Sequence, residues 1–287
     1  MNIESYLKTN REKVNEALER WLSAQPDWPP RLKEAIGYSL KAGGKRVRSI
    51  LAMAACEACG GDAAAVMPVA LSLEMIHTFS LIHDDLPAMD NDDLRRGQAT
   101  NHKVFGEGMA ILAGDGLLSE AFFLLGQLKN SEVLCDIALA IGPAGMIGGQ
   151  VLDLQGEGAS LNADDLEKIH RYKTGRLITV SVTSGAKVAG ATSSQLESLK
   201  AYAERIGLAF QIADDILNVE GSVGAMGKAK GSDQNKKKAT YPAILGLEAS
   251  KKKAAALVDE AIGYLKMFDE CAEVLRELAR YIICRTN

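Results

Sequence analysis

Proline is scarce, seven in 287 residues, and none falls between Pro143 and Pro242. A β-rich chain would need turns about every 8–12 residues across that span and would draw on proline for them, whereas long helices cross it without one. Long apolar runs are missing too. No stretch approaches the ~18 uninterrupted apolar residues of a membrane span, and Met1–Lys13 is too polar and charged for the apolar core of a signal peptide. A cytoplasmic address with no membrane partner is expected. The five cysteines, at 56, 59, 135, 271 and 284, are odd in number and lack the regular spacing of a disulfide framework, which suits a reducing compartment. Cys56-x-x-Cys59 has no second pair and no strand pattern beside it, so both read as small core residues. With a net charge of -4 and a pI of about 5.7, there is no global attraction to nucleic acid or anionic lipid. An anionic ligand must therefore be held by local clusters. No repeat and no linker divides the chain, so residues 1–287 read as one all-α domain.

The helices show in the spacing. Thr192 and Gln195 read as a capping box, after which Leu196, Leu199, Ala203, Ile206 and Phe210 recur on one face. The next step of four lands on Asp214. A second helix starting near Pro68 carries Val69, Leu73, Ile76 and Ser80 on one face, and its next step is Asp84. Both inward stripes thus end in acids. Further helices are expected over roughly 4–22, 31–42, 47–59, 112–128, 131–154, 164–189, 240–249, 252–267 and 270–284. Residues 221–238, rich in Gly, Ser and Lys, form the one long candidate loop.

Asp84-Asp85-Leu86-Pro87-Ala88-Met89-Asp90-Asn91-Asp92-Asp93-Leu94-Arg95-Arg96-Gly97 packs five acids into ten residues directly after an apolar helix face. An acid on an inward stripe needs neutralising, and hard divalent cations, Mg²⁺ above all, are the natural partners of clustered carboxylates. A solvated acidic turn would explain Asp92 and Asp93 but not Asp84. On an ideal helix Asp84 and Asp90 would lie about 120° apart, so both reach one ion cluster only if the helix is distorted between them, which Pro87 can do. Asp214-Asp215-Ile216-Leu217-Asn218 supplies a second acidic group on another helix. Two acidic helix ends facing a bundle interior are a known way to build a metal site.

The third group is cationic: Gly43-Gly44-Lys45-Arg46-Val47-Arg48, Arg95, Arg96, Lys173, Lys228 and Lys238. Glycine lets backbone approach an anion, Arg matches phosphate oxygens bidentately, and Lys adds a mobile charge, so a diphosphate ligand is implied. The spacing departs from that of a P-loop, which disfavours nucleotide hydrolysis. Lys236, Lys237 and Lys251–Lys253 read as solvated surface charges. His77 precedes Asp84 by two helical turns on the same face. A lone helical histidine is usually structural, but this shared face aims it at the same cavity.

In this order the motifs resemble those of the trans-prenyl diphosphate synthases, and specifically the bacterial farnesyl diphosphate synthases, over nearly the whole chain. Gly43–Arg48 resembles the G-G-K-R-x-R segment, Asp84–Gly97 the first aspartate-rich motif in its bacterial form, and Gly148–Leu154 the G-G-Q-x-x-D-L segment. Asp214–Asn218 resembles the second aspartate-rich motif and Lys238–Pro242 the K-x-T-Y-P segment. The resemblance implies an isoprenoid synthase helical bundle around a deep central cavity, usually a homodimer. It implies that Gly44, Lys45, Arg48, His77 and Arg96 bind isopentenyl diphosphate. Asp84, Asp85, Asp90 and Asp214 would hold three Mg²⁺ on the allylic diphosphate, dimethylallyl or geranyl, while Arg95, Lys173, Lys228 and Lys238 grip its oxygens. Thr174 and Gln211 match positions near the reacting carbons. Phe79, ~7.5 Å behind Asp84 along a helix axis, and its neighbour Ser80 match the positions that limit chain length.

The implied reaction is Mg²⁺-dependent condensation to farnesyl diphosphate with release of pyrophosphate. Asn218 stands where the family normally has Asp, Ser49 where Pro is common, and Ala213 where a polar residue is frequent. A geranylgeranyl diphosphate synthase shares almost every motif, and product length separates the two. A non-catalytic prenyl-binding subunit has only Asn218 in its favour, and a phosphohydrolase would release pyrophosphate without isopentenyl diphosphate.

Overall fold

The structure, a computed structural model, describes residues 2–25, 27–220 and 239–284. The described residues fold as an all-α bundle with one small hairpin. The long elements are α1 (Ile3–Ser23), α2 (Pro30–Lys41), α3 (Val47–Ala58) and α4 (Met67–Asp84). The strands β1 (Leu94–Arg95) and β2 (Gln98–Ala99) pair antiparallel, and α5 (Asn101–Phe105) and α6 (Glu107–Gln127) follow. Next come α7 (Ser131–Ile141), α8 (Met146–Gly156) and α9 (Ala163–His170), then a π-helical turn (Arg171–Gly175) that runs into α10 (Arg176–Val188). The chain continues with α11 (Ser193–Glu220), α12 (Tyr241–Leu245), α13 (Leu247–Tyr264) and α14 (Glu273–Cys284).

Local chemistry sets several of these boundaries. The Thr192 capping box forms: the Thr192 N–H donates to Gln195 Oε1 at 2.9 Å, and the Gln195 N–H donates to Thr192 Oγ1 at 3.3 Å. The expected helix over 131–154 is broken at Gly142–Gly145, because Pro143 has no N–H to continue the ladder. The expected helix over 240–249 divides at Gly246, whose φ of +83° ends α12 and opens α13. The hairpin and α5 are not apparent in the apolar spacing, since neither is long enough to show a period.

Three apolar clusters hold the described bundle; α3 serves the two larger ones, and the smallest joins Leu166, Leu208, Ile212, Tyr241 and Ala254. Ala52, Met53 and Cys56 face a cluster with Leu18 and Trp21 of α1, Ile36 of α2, Leu73 and Ile76 of α4, Leu117 of α6 and Ile137 of α7. Ile50, Leu51, Ala54 and Ala55 face the other, with Ile178 and Val182 of α10, Tyr202 and Ile206 of α11, Val258 of α13 and Leu275 and Leu278 of α14. Each fully buried Leu or Ile contributes about 1.5–3 kcal/mol, so these clusters outweigh the caps. The helix Glu107–Gln127 and the span Ser131–Gly156, divided between α7 and α8, are long and apolar enough by composition to cross a membrane, although neither holds an uninterrupted apolar run. Their outer faces are open, with Leu112 57%, Phe123 60% and Leu139 70% exposed.

Candidate active site

The acidic motif works by ending a helix. The α4 helix stops at Asp84 rather than bending at Pro87 as expected, and the chain doubles back so that the Asp90 N–H donates to the Asp84 carbonyl at 2.8 Å. Asn91, with φ +50°, follows and donates its N–H to the Leu86 carbonyl at 3.1 Å. This solves the 120° problem, because Asp84 and Asp90 meet across a turn. Burial, reinforced by Asp90 and Asp85 and opposed by Lys173 and Arg95, pushes the Asp84 carboxyl up from 3.8 to about 6. Its ionised form is only partly compensated by Lys173 and Arg95, and a further cation would supply the rest.

The hairpin then returns two arginines to the site. Arg96 (φ +54°) and Gly97 (φ +79°) form its two-residue turn, a left-handed pair that suits the twist of a tight hairpin. Arg95 Nε lies 2.7 and 2.8 Å from the two oxygens of Asp85, and its Nη2 lies 2.5 Å from Asp85 Oδ1. Burial lowers the proton affinity of Arg95, but the Asp85 contact outweighs it and the net shift is upward. Both oxygens of Asp85, expected among the metal ligands, face Arg95, so Asp85 orients a cation in this structure. Arg96 donates from Nη1 to the Gly43 carbonyl. A Cβ on Gly44 would lie 2.8 Å from that guanidinium, so Gly44 makes room for Arg96 as well as for any ligand.

The cations gather beside this wall. Arg48 Nε is enclosed with no hydrogen-bond partner among the described residues, as expected of a donor aimed at a ligand. Burial lowers the proton affinity of Arg48, while Glu74 and Asp214 raise it. Burial, then the guanidiniums of Arg48, Arg96, Arg95 and Arg46, push the His77 imidazole well below its ordinary range, so His77 is neutral at pH 7. Lys45 is exposed at the loop before α3.

On the opposite side the π-helical turn presents Lys173 and Thr174. Such turns recur at functional sites because they redirect a side chain within a helix. Here α8 presses on the turn so closely that a Cβ on Gly149 would sit 2.2 Å from Lys173 N. Lys173 Nζ donates to Asp153 Oδ2 at 2.6 Å, and Thr174 is buried behind it. Asp153 carries no role in the sequence reading, although its place in Gly148–Leu154 was a signal. In α11, Gln211 and Asp214 are half-buried and Asn218 is buried. Asp215 Oδ2 accepts from the Tyr241 N–H at 2.9 Å and lies 3.4 Å from His170 Nε2, so Asp215 anchors α12. Lys253, expected to be solvated, sits 5.0 Å over the Tyr241 ring and donates to Glu167 at 2.8 Å. Lys228 and Lys238 lie outside the described residues.

The polyprenyl synthetase family matches residues 29–282, with the two acidic motifs and the cationic loop inside the match. The chain belongs to that family. It is 46% identical over 295 residues to a farnesyl diphosphate synthase of Geobacillus stearothermophilus, covering 100% of this chain and 99% of the relative. It is 45% identical to a geranylgeranyl diphosphate synthase of Cyanophora paradoxa, covering 100% and 97%. The crystal structure of an FPP/GFPP synthase from Zymomonas mobilis superposes with a TM-score of 0.84 at 39% identity, covering 96% and 98%.

Within this polyprenyl synthetase framework, the residues expected at the chain-length position differ in surroundings. Phe79 is buried and meets the His83 ring edge-on at 4.9 Å, while Ser80 turns its hydroxyl to the His77 carbonyl at 2.9 Å. Among the described residues no three Asp, Glu, His or Cys side chains form a ready cage for a metal. The donor set fits Mg²⁺: two carboxylates drawn together by one backbone hydrogen bond, with Asp84 short of positive charge.

Proposed function

We propose that the protein condenses isopentenyl diphosphate with dimethylallyl diphosphate and then geranyl diphosphate, giving farnesyl diphosphate and pyrophosphate. The observation that carries this reading is the apposition of two unlike walls. One is the Asp84–Asp90 pair, whose half-buried Asp84 carboxyl is only partly compensated by Lys173 and Arg95. The other is a layer of Arg48, Arg96 and Arg95 around a neutral His77. A single phosphate ester would need one such wall, whereas two diphosphates, one with metal and one without, need both.

Asp84 and Asp90, with Asp214 facing them, would hold Mg²⁺, three ions per site, and bound Mg²⁺ would neutralise charge growing on the departing pyrophosphate. Lys173, aimed by Asp153, and Arg95, aimed by Asp85, add fixed positive charge there without reorganising during the reaction. Lys228 and Lys238 belong to the same proposed grip. Arg48, Lys45 and Arg96 fix the diphosphate of isopentenyl diphosphate, and His77 donates one neutral hydrogen bond. Thr174 and Gln211 flank the reacting carbons. Apolar walls exclude water, so the double bond of isopentenyl diphosphate captures the allylic cation, and the proton lost in that step goes to the pyrophosphate. Phe79, braced by His83, closes the tail pocket and supports a fifteen-carbon product over the twenty-carbon alternative.

A homodimer is also proposed. The open apolar faces of α6 and α7, on which Phe123 and Leu139 are exposed, are what a second copy would cover. The five free cysteines support a cytoplasmic address.

The test is substrate dependence. Pyrophosphate release should require isopentenyl diphosphate, an allylic diphosphate and a divalent ion together. Release at full rate without isopentenyl diphosphate would make the protein a hydrolase.

A further inference from the structure

Arg46 adopts φ +52° and ψ +30° at the start of α3, a left-handed conformation that side-chain-bearing residues avoid unless the surroundings enforce it. Here the side chain enforces it. Arg46 Nε donates to Asn15 Oδ1 at 2.9 Å, Nη2 to the Leu40 carbonyl at 2.6 Å and Nη1 to Glu74 Oε2 at 3.1 Å. Arg46 and Glu74 are 5% and 3% exposed, so neither charge is shared with solvent. The second Glu74 oxygen lies 2.9 Å from Ser49 Oγ, which is also 2.7 Å from the Ala70 carbonyl.

One carboxylate therefore pins the chain on both flanks of the cationic loop, because Arg46 follows Lys45 directly and Ser49 follows Arg48 directly. A buried ion pair is a poor source of cohesion compared with apolar packing, but it fixes direction. Ser49 sharpens the point: it occupies a position where proline, with no hydroxyl, would leave that Glu74 oxygen without this contact.

We propose that Glu74 is a positioning residue. Through Arg46 and Ser49 it sets the backbone from which Lys45 and Arg48 reach isopentenyl diphosphate, and it governs the binding of that substrate alone. The inference rests on the proposed condensation reaction.

Steady-state kinetics with both substrates, together with calorimetric binding of isopentenyl diphosphate to the full chain, test it. Glu74→Gln should raise KM and Kd for isopentenyl diphosphate about tenfold, leaving kcat and KM for dimethylallyl diphosphate within about twofold. Ser49→Ala, which removes a single hydroxyl and keeps the fold, should raise the same two constants about threefold, with a melting temperature only a few degrees lower. Losses shared equally by both substrates, or an isopentenyl diphosphate Kd unmoved in both variants, would overturn the assignment. If Glu74→Gln does not fold, Ser49→Ala and Asn15→Ala decide on the same criterion. Wild-type protein that binds isopentenyl diphosphate without condensing it would sink the proposed reaction, while the comparison of Kd values would still decide the role of Glu74.

Discussion

The two acidic motifs open with the same dipeptide, Asp84-Asp85 and Asp214-Asp215, and divide its labour the same way by different means. Consecutive helical residues point about 100° apart, so two adjacent acids cannot serve one place. In each pair the first acid faces the cations of the site and the second is committed elsewhere. Asp85 holds a charged partner from its own motif, Arg95, in a contact with both oxygens. Asp215 holds a neutral one, the Tyr241 N–H, beyond the segment 221–238. The first motif is a self-contained turn that brings its own cation. The second is a stretch of continuous helix whose acid anchors a distant element.

Breaking the first member of the first pair should have the largest effect. Asp84→Ala or Asp84→Asn should lower turnover about a thousandfold or more. Asp84→Asn should at the same time stabilise the metal-free protein at pH 7, by about 1–3 kcal/mol in denaturant unfolding. The sign follows from the direction of the shift. The folded carboxyl titrates at about 6, above its ordinary 3.8, so the native state binds the proton more tightly and stability falls as pH rises through that window. The gap between variant and wild type should vanish below about pH 4. A variant no more stable than wild type would mean that Asp84 is already compensated without metal.

The second members should separate next. Asp85→Asn leaves a largely buried guanidinium short of its counter-charge, so stability should fall about 2–4 kcal/mol and turnover about 10–100-fold. Asp215→Asn keeps an oxygen for the Tyr241 N–H and should cost only about 1 kcal/mol. Equal losses in the two variants, measured side by side, would erase the contrast between a charged and a neutral anchor.

The smallest expected effect concerns Asn218, one turn beyond Asp214. An amide oxygen attracts a divalent ion less than a carboxylate does, so Asn218→Asp should lower the Mg²⁺ concentration for half-maximal rate. Superimposable titrations would put position 218 outside the metal shell. The same titration bears on Asp215, whose oxygen is tied to Tyr241 and does not replace the missing carboxylate.

Much of this site was legible because helical period carries it. The stripes ending at Asp84 and Asp214 run along α4 and α11, and the capping box at Thr192 marks where α11 begins. What spacing could not convey is what each side chain holds once the chain turns. The end of α4 at Asp84, the left-handed Arg46 and Arg96, and the π-helical turn at Lys173 are departures from regular periods. Each decides an orientation: Asp85 towards Arg95, Lys173 towards Asp153, Arg96 towards Gly43. The residues expected to bind ligand were named from type and order, whereas the roles of Glu74, Asp153 and Asp215 as partners, and the pairing of Asp85 with Arg95, became apparent only in three dimensions.

The most direct test is the length of the product made from isopentenyl and dimethylallyl diphosphates at saturating Mg²⁺, resolved by chromatography after dephosphorylation. Wild-type protein should yield farnesol as the main alcohol, and Phe79→Ala, which removes the ring braced against His83, should move the product to twenty carbons or longer. Wild-type product of twenty carbons would place the floor of the pocket elsewhere and make the protein a geranylgeranyl diphosphate synthase. No product longer than five carbons, with allylic diphosphate hydrolysed, would contradict condensation itself.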